Sequence, residues 1–318
     1  MLKTILTEAM YVICGLVCFY TAYQALTDKN NKAKITSAIF WVILGVIFAF
    51  SEIGKLWGNT TLKINPAIIG YLLVIMCILS ALKLVKFGKI EESSNEFKQK
   101  MSSKIGSKIF IPAVSLALVT FIVAQIFKES LGSLVALGIG TVISGILALI
   151  ITRGKPKEML NDGSRLLQIV GPVNILPQLL AALGALFTAA GVGDVIANGI
   201  SSVVPMNNPL IGVVVYCLGM ALFTMIMGNG FAAFTVITTG IGVPFVIAQG
   251  GNPVVVAALG LTAGFCGTLL TPMAANFNIV PAAILEIKDT KYGVIKYQAP
   301  VAIVMLFLHI VLMYFWAF

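Results

Sequence analysis

The sequence predicts an all-α, polytopic membrane protein, and three observations carry that prediction. Hydrophobic residues make up 59% of the 318 and charged residues only 10%, against roughly a quarter charged in a soluble domain, which excludes a water-soluble globular enzyme. The apolar residues fall in runs of about 20, the helical length that crosses a hydrocarbon core of about 30 Å. The net charge of +9, from 21 Lys and Arg against 12 Asp and Glu, sits in short clusters between the runs, the positive-inside pattern of a membrane protein rather than a nucleic-acid surface. The expected architecture is about eight transmembrane helices plus a re-entrant helical hairpin and a discontinuous helix, with no extramembrane domain.

Hydropathy places spans at residues 5–26, 35–51, 64–85, 109–127, 131–152, 172–197 and 299–318, with a more complicated region from 209 to 286. The first run lacks the small-residue cleavage site of a signal peptide and is long enough to span. Only one loop is long, residues 86–108, and its mixed Ser, Lys and Glu read as a solvated cytoplasmic loop. Basic residues divide unequally: Lys29, Lys32, Lys34, seven lysines from Lys83 to Lys108, Arg153, Lys155, Lys157 and Arg165 fall on one side, and Lys3, Lys55, Lys63 and Lys128 on the other. That asymmetry puts the first set in the cytoplasm and the N-terminus outside. Lys288, Lys291 and Lys296 join the cytoplasmic set if residues 209–247 cross an even number of times, which two full crossings or one re-entrant hairpin would both achieve.

Composition divides the chain further. Residues 1–152 hold two of the 12 prolines, Pro66 and Pro112, each near a helix start where proline costs little, and read as a scaffold of about five transmembrane helices. Residues 153–318 hold the other ten prolines, 19 of 30 glycines and asparagines inside apolar sequence at Asn174, Asn198, Asn229, Asn276 and Asn278, and read as the transport half. Between them PKEMLNDGSRLLQIV (156–170) reads either as an interfacial amphipathic helix or as a connecting loop turned by Asn161, Asp162 and Gly163.

The usual parts of catalysis are missing from the sequence. The five cysteines lie inside apolar runs and read as buried reduced thiols. A single histidine, His309, supports neither a zinc cluster nor a Ser-His-Asp arrangement, and no Walker lysine motif suggests ATP-driven pumping. No catalytic residue, metal or cofactor is expected.

Two interruptions of apolar sequence stand out instead. Gly228-Asn229-Gly230 separates two arms of about 15 residues, each reaching about 22 Å, and reads as the tip of a re-entrant hairpin near mid-membrane. An ordinary tight turn between two short spans is the alternative. The second runs from Gly267 to Asn278. Pro272 removes a backbone donor and biases Thr271 away from helix, while Asn276 and Asn278 offer side chains to freed backbone groups, so this reads as a discontinuous helix. A plain proline kink, with Gly260, Gly264 and Gly267 as a close-packing stripe, is the alternative.

Helices that end inside a membrane expose N–H groups at their starts and C=O groups at their ends. Here the starts near Phe231 and Ile279 would face an anion and the ends near Met227 and Leu270 a cation. No Lys or Arg occurs between Arg165 and Lys288, so an anionic substrate would be held by backbone N–H groups and neutral side chains. Thr235, Thr238 and Thr239 share a face of the second arm and would add hydroxyls, or else bond back to their own helix. Of the ionisable residues in the spans, Glu8 reads as interfacial beside Lys3, Asp194 as exposed at a span end, and His309 as either a proton-relay candidate or a neutral hydrogen-bonded histidine.

The stretch GNGFAAFTVITTGIGVPFV, followed by LTAGFCGTLLTPMAANFNIVPAAILEIKDTKYGVIK, resembles a bacterial membrane-protein family described as the larger subunit of a two-component 5-oxoproline (pyroglutamate) transporter. More distantly, hairpin plus broken helix is similar to the C-terminal half of the ion-transporter superfamily of carboxylate carriers. That resemblance implies a substrate and ion site at Gly228, Asn229, Gly230, Thr271, Pro272 and Asn276, to which Thr235, Thr239, Thr268 and Asn278 are added from their places on the same segments. The tip departs from the Ser-Asn-Thr of those carriers, which removes two hydroxyl ligands for sodium, and residues 1–152 show no second hairpin.

The sequence therefore leads to the expectation of a subunit of a secondary transporter in the bacterial inner membrane. The resemblance implies 5-oxoproline as the small organic anion, Na+ or H+ as the coupling ion, and a second, smaller membrane subunit as partner to complete the half-site; no nucleic acid is expected. A passive channel and an integral membrane enzyme are the rival readings.

Overall fold

A lipid-exposed backbone has no water to bond, so each apolar run must satisfy its own N–H and C=O groups, and the runs are helical in the computed structural model. The structure describes residues 2–59, 61–88, 95–127, 130–171, 175–202, 208–285, 287–289 and 291–318, without the side chains of residues 95, 98, 176, 177, 181, 201, 275, 276, 283 and 284. Among the described residues there is no strand, and seven helices are long and apolar enough to cross a membrane. The protein is an all-α, multi-pass membrane protein. The chain forms two compact units, residues 1–172 and 173–318.

In the first unit α1 (Leu2–Thr27) and α2 (Lys34–Phe50) form a tight pair. Small residues allow it: a Cβ on Gly15 would lie 2.6 Å from the Ala49 methyl, and one on Gly45 2.7 Å from the Phe19 ring. A short 3-10 turn over Ile53–Trp57 then packs against α1. It encloses Glu8, which is only 3% exposed and has the backbone of Glu52 and the ammonium of Lys55 beside its carboxylate. Glu8 is thus buried within the protein, because the loop after α2 folds back over it.

The third apolar run is shorter than expected. Pro66 at its first turn and the Asn65 side chain, which accepts from the Ala67 N–H at 3.0 Å, start α3 (Pro66–Ala81). Its 16 residues rise about 24 Å. The chain then straps back across the start of α2. The Ser37 hydroxyl donates to the Lys86 carbonyl at 2.7 Å, Asn31 donates to the same oxygen at 2.7 Å, Thr36 donates to the Leu84 carbonyl at 2.6 Å, and the Asp28 carboxylate accepts from the Gly88 N–H at 3.0 Å. The end of α3 and the start of α2 therefore lie at one end of the unit.

The loop expected over 86–108 contains a polar helix, α4 (Asn95–Ile105), which runs through a 3-10 turn into α5 (Phe110–Ile126). Its apolar residues, Phe97, Met101 and Ile105, are spaced four apart but number only three of eleven, so the polar composition hides the helix in the sequence. α5 pairs with α6 (Gly132–Thr152), where the Ser144 hydroxyl donates to the Pro112 carbonyl at 2.7 Å. The segment 156–170 is helical, α7 (Pro156–Val170), so the connecting-loop reading falls. Asn161 is not a turn residue: its Oδ1 accepts from Tyr20 at 2.6 Å and from Gln24 at 3.0 Å, both near the end of α1. These bonds place α7 in the first unit, although its composition groups it with the second half. They also gather Lys29 to Lys34, Lys83, Lys86 and Arg153 to Lys157 at one end, while Lys3 packs over Gly132 at the other. Lys89 and Lys128 lie outside the described residues.

In the second unit the run expected over 172–197 is two helices, α8 (Leu176–Ala189) and α9 (Val192–Ser201), bent by 65°. Gly191, at φ +69°, makes the break in a conformation that costs other residues about 1–2 kcal/mol; Pro172 and Asn174 lie outside the described residues. Then follow α10 (Pro209–Met227), α11 (Gly230–Ile237), a π turn over Thr238–Gly242, α12 (Val243–Phe245), α13 (Pro253–Thr268), a second π turn over Ala275–Ile279, α14 (Val280–Ile284) and α15 (Gly293–Ala317). The core of this unit is Tyr216, Cys217 and Met220 of α10 packed with Ile237, Ile241, Phe245, Val256, Ala263 and Met313. Cys18, Cys217 and Cys266 are buried free thiols as expected, whereas Cys14 is exposed on α1.

Candidate functional site

The two interruptions read from the sequence meet. α10 ends at Gly228, whose φ of +70° turns the chain and whose missing side chain admits the Met273 carbonyl, so any Cβ there would collide with it. One residue on, Asn229 caps α11: its Oδ1 accepts from the N–H groups of Phe231 at 2.9 Å and Ala232 at 3.3 Å. Gly230 then leaves room for the Phe265 ring of α13, which also packs edge-on against Phe231 at a centroid distance of 5.8 Å.

On the other side α13 stops at Thr268 and helix resumes at Ala275, so residues 269–274 form the break expected around Pro272. Thr271 fixes the break to the hairpin by donating to the Met225 carbonyl at 2.9 Å. Asn278 closes it from below, with Nδ2 donating to the carbonyls of Thr268 at 2.9 Å and Thr271 at 2.7 Å. That use of Nδ2 leaves Asn278 Oδ1 buried without a partner among the described residues, and the same holds for the Thr224 hydroxyl of α10. Thr268, Thr271 and Asn278 are 1%, 5% and 1% exposed.

The hairpin differs from the expectation in its dimensions. Asn208 caps α10 by accepting from the Ile211 N–H, so the first arm has 19 residues, and residues 230–249 form a second arm of 20 that absorbs an extra residue in its π turn. Each rises about 28–30 Å, enough for a full crossing. The arms touch along their length, with the Phe245 carbonyl over Gly212 and the Thr238 hydroxyl 2.8 Å from that of Tyr216.

Close packing holds α13 against α10. Gly260 faces the Tyr216 ring, Gly264 faces Met220, and Gly267 sits on the Ala221 carbonyl. The small-residue stripe and the broken helix are thus two properties of one segment rather than alternatives, since the stripe seats α13 so that its end reaches the hairpin tip.

A family model for a protein of unknown function, DUF979, matches residues 8–318. The chain belongs to that family. No curated protein and no solved structure matches it.

The remaining candidates in this DUF979 member are distributed as follows. Gly228, Asn229, Gly230, Thr268, Thr271, Pro272 and Asn278 gather at the junction of tip and break. Asn276 lies in the second π turn, its side chain outside the described residues. Thr235 on α11 and Thr239 in the π turn after it lie farther along the second arm, toward α8 and α9, and both donate to backbone carbonyls of that arm: Thr235 to Ala232 at 3.0 Å, Thr239 to Thr235 at 2.8 Å. A Cβ on Gly193 of α9 would lie 2.8 Å from the Thr239 hydroxyl. His309 is buried on α15 and donates from Nδ1 to the Met305 carbonyl at 2.6 Å. Asp194 is exposed in the first turn of α9, where a carboxylate suits the helix dipole.

Sequence reading missed Thr224 and the Met225 carbonyl. A lone threonine in an apolar helix usually bonds back to its own chain, and nothing in the sequence distinguishes one that does not. Among the described residues no group of three or more His, Cys, Asp or Glu gathers as a metal site would. Among the described residues the junction offers amide, hydroxyl and backbone groups.

Proposed function

We propose that this chain is a subunit of a secondary transporter for a small organic anion, coupled to a gradient of Na+ or H+, with its site where the hairpin tip meets the helix break. The observation that supports this reading most is the contact of two interruptions some 40 residues apart, joined by Thr271 and the Met225 carbonyl. Irregular backbone inside apolar sequence is tolerated where it is enclosed by protein or lines a cavity, and carriers place such breaks at their binding sites. The unpartnered Asn278 Oδ1 and Thr224 hydroxyl are oxygen donors without a charge, suited to a hard cation or a hydrogen-bonding ligand. An enzyme would need acid, base or metal-binding side chains, and the sequence between Arg165 and Lys288 carries few of them. The resemblance implies 5-oxoproline as the anion, a smaller membrane subunit as the partner, and the bacterial inner membrane as the location.

In this reading the Asn229 side chain, which caps α11 in the structure, exchanges those N–H groups with the substrate carboxylate. The test is uptake of labelled 5-oxoproline into proteoliposomes that hold the chain with and without the smaller subunit, under an imposed Na+ or pH gradient. Gradient-driven uptake that needs both subunits is expected, with Asn229→Ala inactive and Asn59→Ala, in a surface loop, unaffected. Downhill flux alone would establish the channel reading, and uptake by the single chain would remove the partner.

A further inference from the structure

The first unit carries a groove of about 1010 Å³ that takes no part in the reading above. It lies at the end where the basic clusters gather, between α4, the end of α6 and the start of α7. Its floor is apolar and half-buried: Met101 and Ile105 of α4 face Leu149 and Ile151 of α6. Its rim is basic, with exposed Lys104 and Lys108 on one side and exposed Arg153 and Lys155 on the other. Arg153 ends α6 at φ +54°, a conformation that side-chain-bearing residues adopt infrequently, and this turn brings the chain from α6 into α7.

None of those four cations is in an ion pair among the described residues. The two carboxylates that line the groove are already engaged: Asp162 is paired with Arg165 at 3.3 Å, and Glu158 accepts from the Lys155 N–H at 2.9 Å. An apolar floor continuous with the ends of two membrane helices, under a ring of cations unpaired among the described residues, matches a molecule with an acyl chain and an anionic head. A soluble anion would leave the floor unfilled and a zwitterionic lipid would leave the rim uncompensated. Basic pockets between membrane helices recognise acidic head groups in this way.

We infer that the groove between α4, α6 and α7 binds one acidic glycerophospholipid, with its phosphate on Lys104, Lys108, Arg153 and Lys155 and an acyl chain along Met101, Ile105 and Leu149. The lipid ties the polar helix α4 to the end of α6 and seats the amphipathic helix α7 at the membrane surface.

The test uses the full chain purified in detergent and native mass spectrometry with added dioleoyl phosphatidylglycerol or dioleoyl phosphatidylcholine. Wild type retains the first at least tenfold better than the second. Lys104→Gln/Lys108→Gln/Arg153→Gln/Lys155→Gln loses that preference, on the scale of about fivefold per cation removed, whereas Lys29→Gln/Lys32→Gln/Lys34→Gln/Lys86→Gln keeps it within about twofold. Equal retention of the two lipids by wild type, or equal loss in both variant sets, overturns the site. Displacement of the lipid by inorganic phosphate at millimolar concentration overturns it in favour of a soluble anion. A photoactivatable phosphatidylglycerol on wild type alone keeps the test decisive if the fourfold variant does not fold: crosslinks at residues 101–108 and 148–155 are expected, and crosslinks confined elsewhere would reject the groove.

Discussion

Asn278 donates to the Thr271 carbonyl across the break in the second half's broken helix, at 2.7 Å, and to the Thr268 carbonyl at 2.9 Å with the same nitrogen. Pro272 has no N–H, so carbonyls here lose helical donors, and the carboxamide replaces two of them. Asn278→Ala leaves the Thr268 oxygen buried without that donor and the Thr271 oxygen with only the Ala274 N–H at 3.4 Å, a loss on the order of 1–3 kcal/mol for a buried unsatisfied group. A clear fall in melting temperature in detergent is expected, larger than for Asn59→Ala. An unchanged melting curve would mean that water reaches the break and serves those carbonyls.

The packing of α13 on α10 predicts a contrast between glycines. A Cβ at Gly267 meets the Ala221 carbonyl, backbone that cannot rotate away, whereas a Cβ at Gly70 on α3 meets nothing within 4 Å. Gly267→Ala should therefore push α13 off α10 and cost about 1–3 kcal/mol as overpacking does. Gly70→Ala should be neutral or slightly stabilising, because alanine is the better helix former. Thermal unfolding of the two variants side by side measures the difference.

Which of these features could be read from sequence follows from how local their signals are. A run of 20 apolar residues is its own evidence, so most spans are legible, and Gly-Asn-Gly and Thr-Pro are legible because they break such runs. The amphipathic α7 is half legible: its periodicity shows, but Asn161 looks like a turn residue until Tyr20 and Gln24 are seen to bind it. The break at Gly191 is not legible because one glycine among Gly184, Gly191 and Gly193 carries no distinctive local signal, and α4 is not, because Phe97, Met101 and Ile105 are only three apolar residues in a polar stretch. That the hairpin tip and the broken helix touch is tertiary information. No spacing in the sequence encodes the approach of Gly228 to Met273.

The start of α15 carries a pH dependence outside the membrane. The Asp289 carboxylate accepts from the Tyr292 N–H at 2.9 Å and from Lys296 at 3.0 Å, and these bonds hold its pKa below the ordinary 3.8. A depressed carboxylate stabilises the fold above its unfolded pKa and loses that contribution as pH falls through the lowered folded value. Protection factors for the amides of Tyr292 to Lys296 should therefore be constant from neutral pH down to about 4 and fall below it. Asp289→Asn, which keeps an acceptor for the cap but not the charge, should remove this pH step while retaining part of the protection.

The strap of residues 84–88 turns orientation into a three-position experiment. Its bonds to Asn31, Thr36 and Ser37 require the loop after α1 and the segment after α3 to share one end, so α3, with 16 residues, runs from one end of the unit to the other. The turn at Ile53–Trp57 lies at the other end, closed by the Ile64 N–H bonding to the Ser51 carbonyl at 3.0 Å. In a variant with the five cysteines replaced, Asn30→Cys and Ser103→Cys should behave alike and Asn59→Cys oppositely; all three positions are exposed. If the basic end is cytoplasmic, as its excess of lysines implies, an impermeant maleimide labels Asn59→Cys in intact cells and the other two only after permeabilisation. The reverse pattern would invert the orientation and leave the fold intact. Identical labelling of Asn30→Cys and Asn59→Cys in intact cells would be more damaging, because it would mean that α2 does not cross the membrane at all.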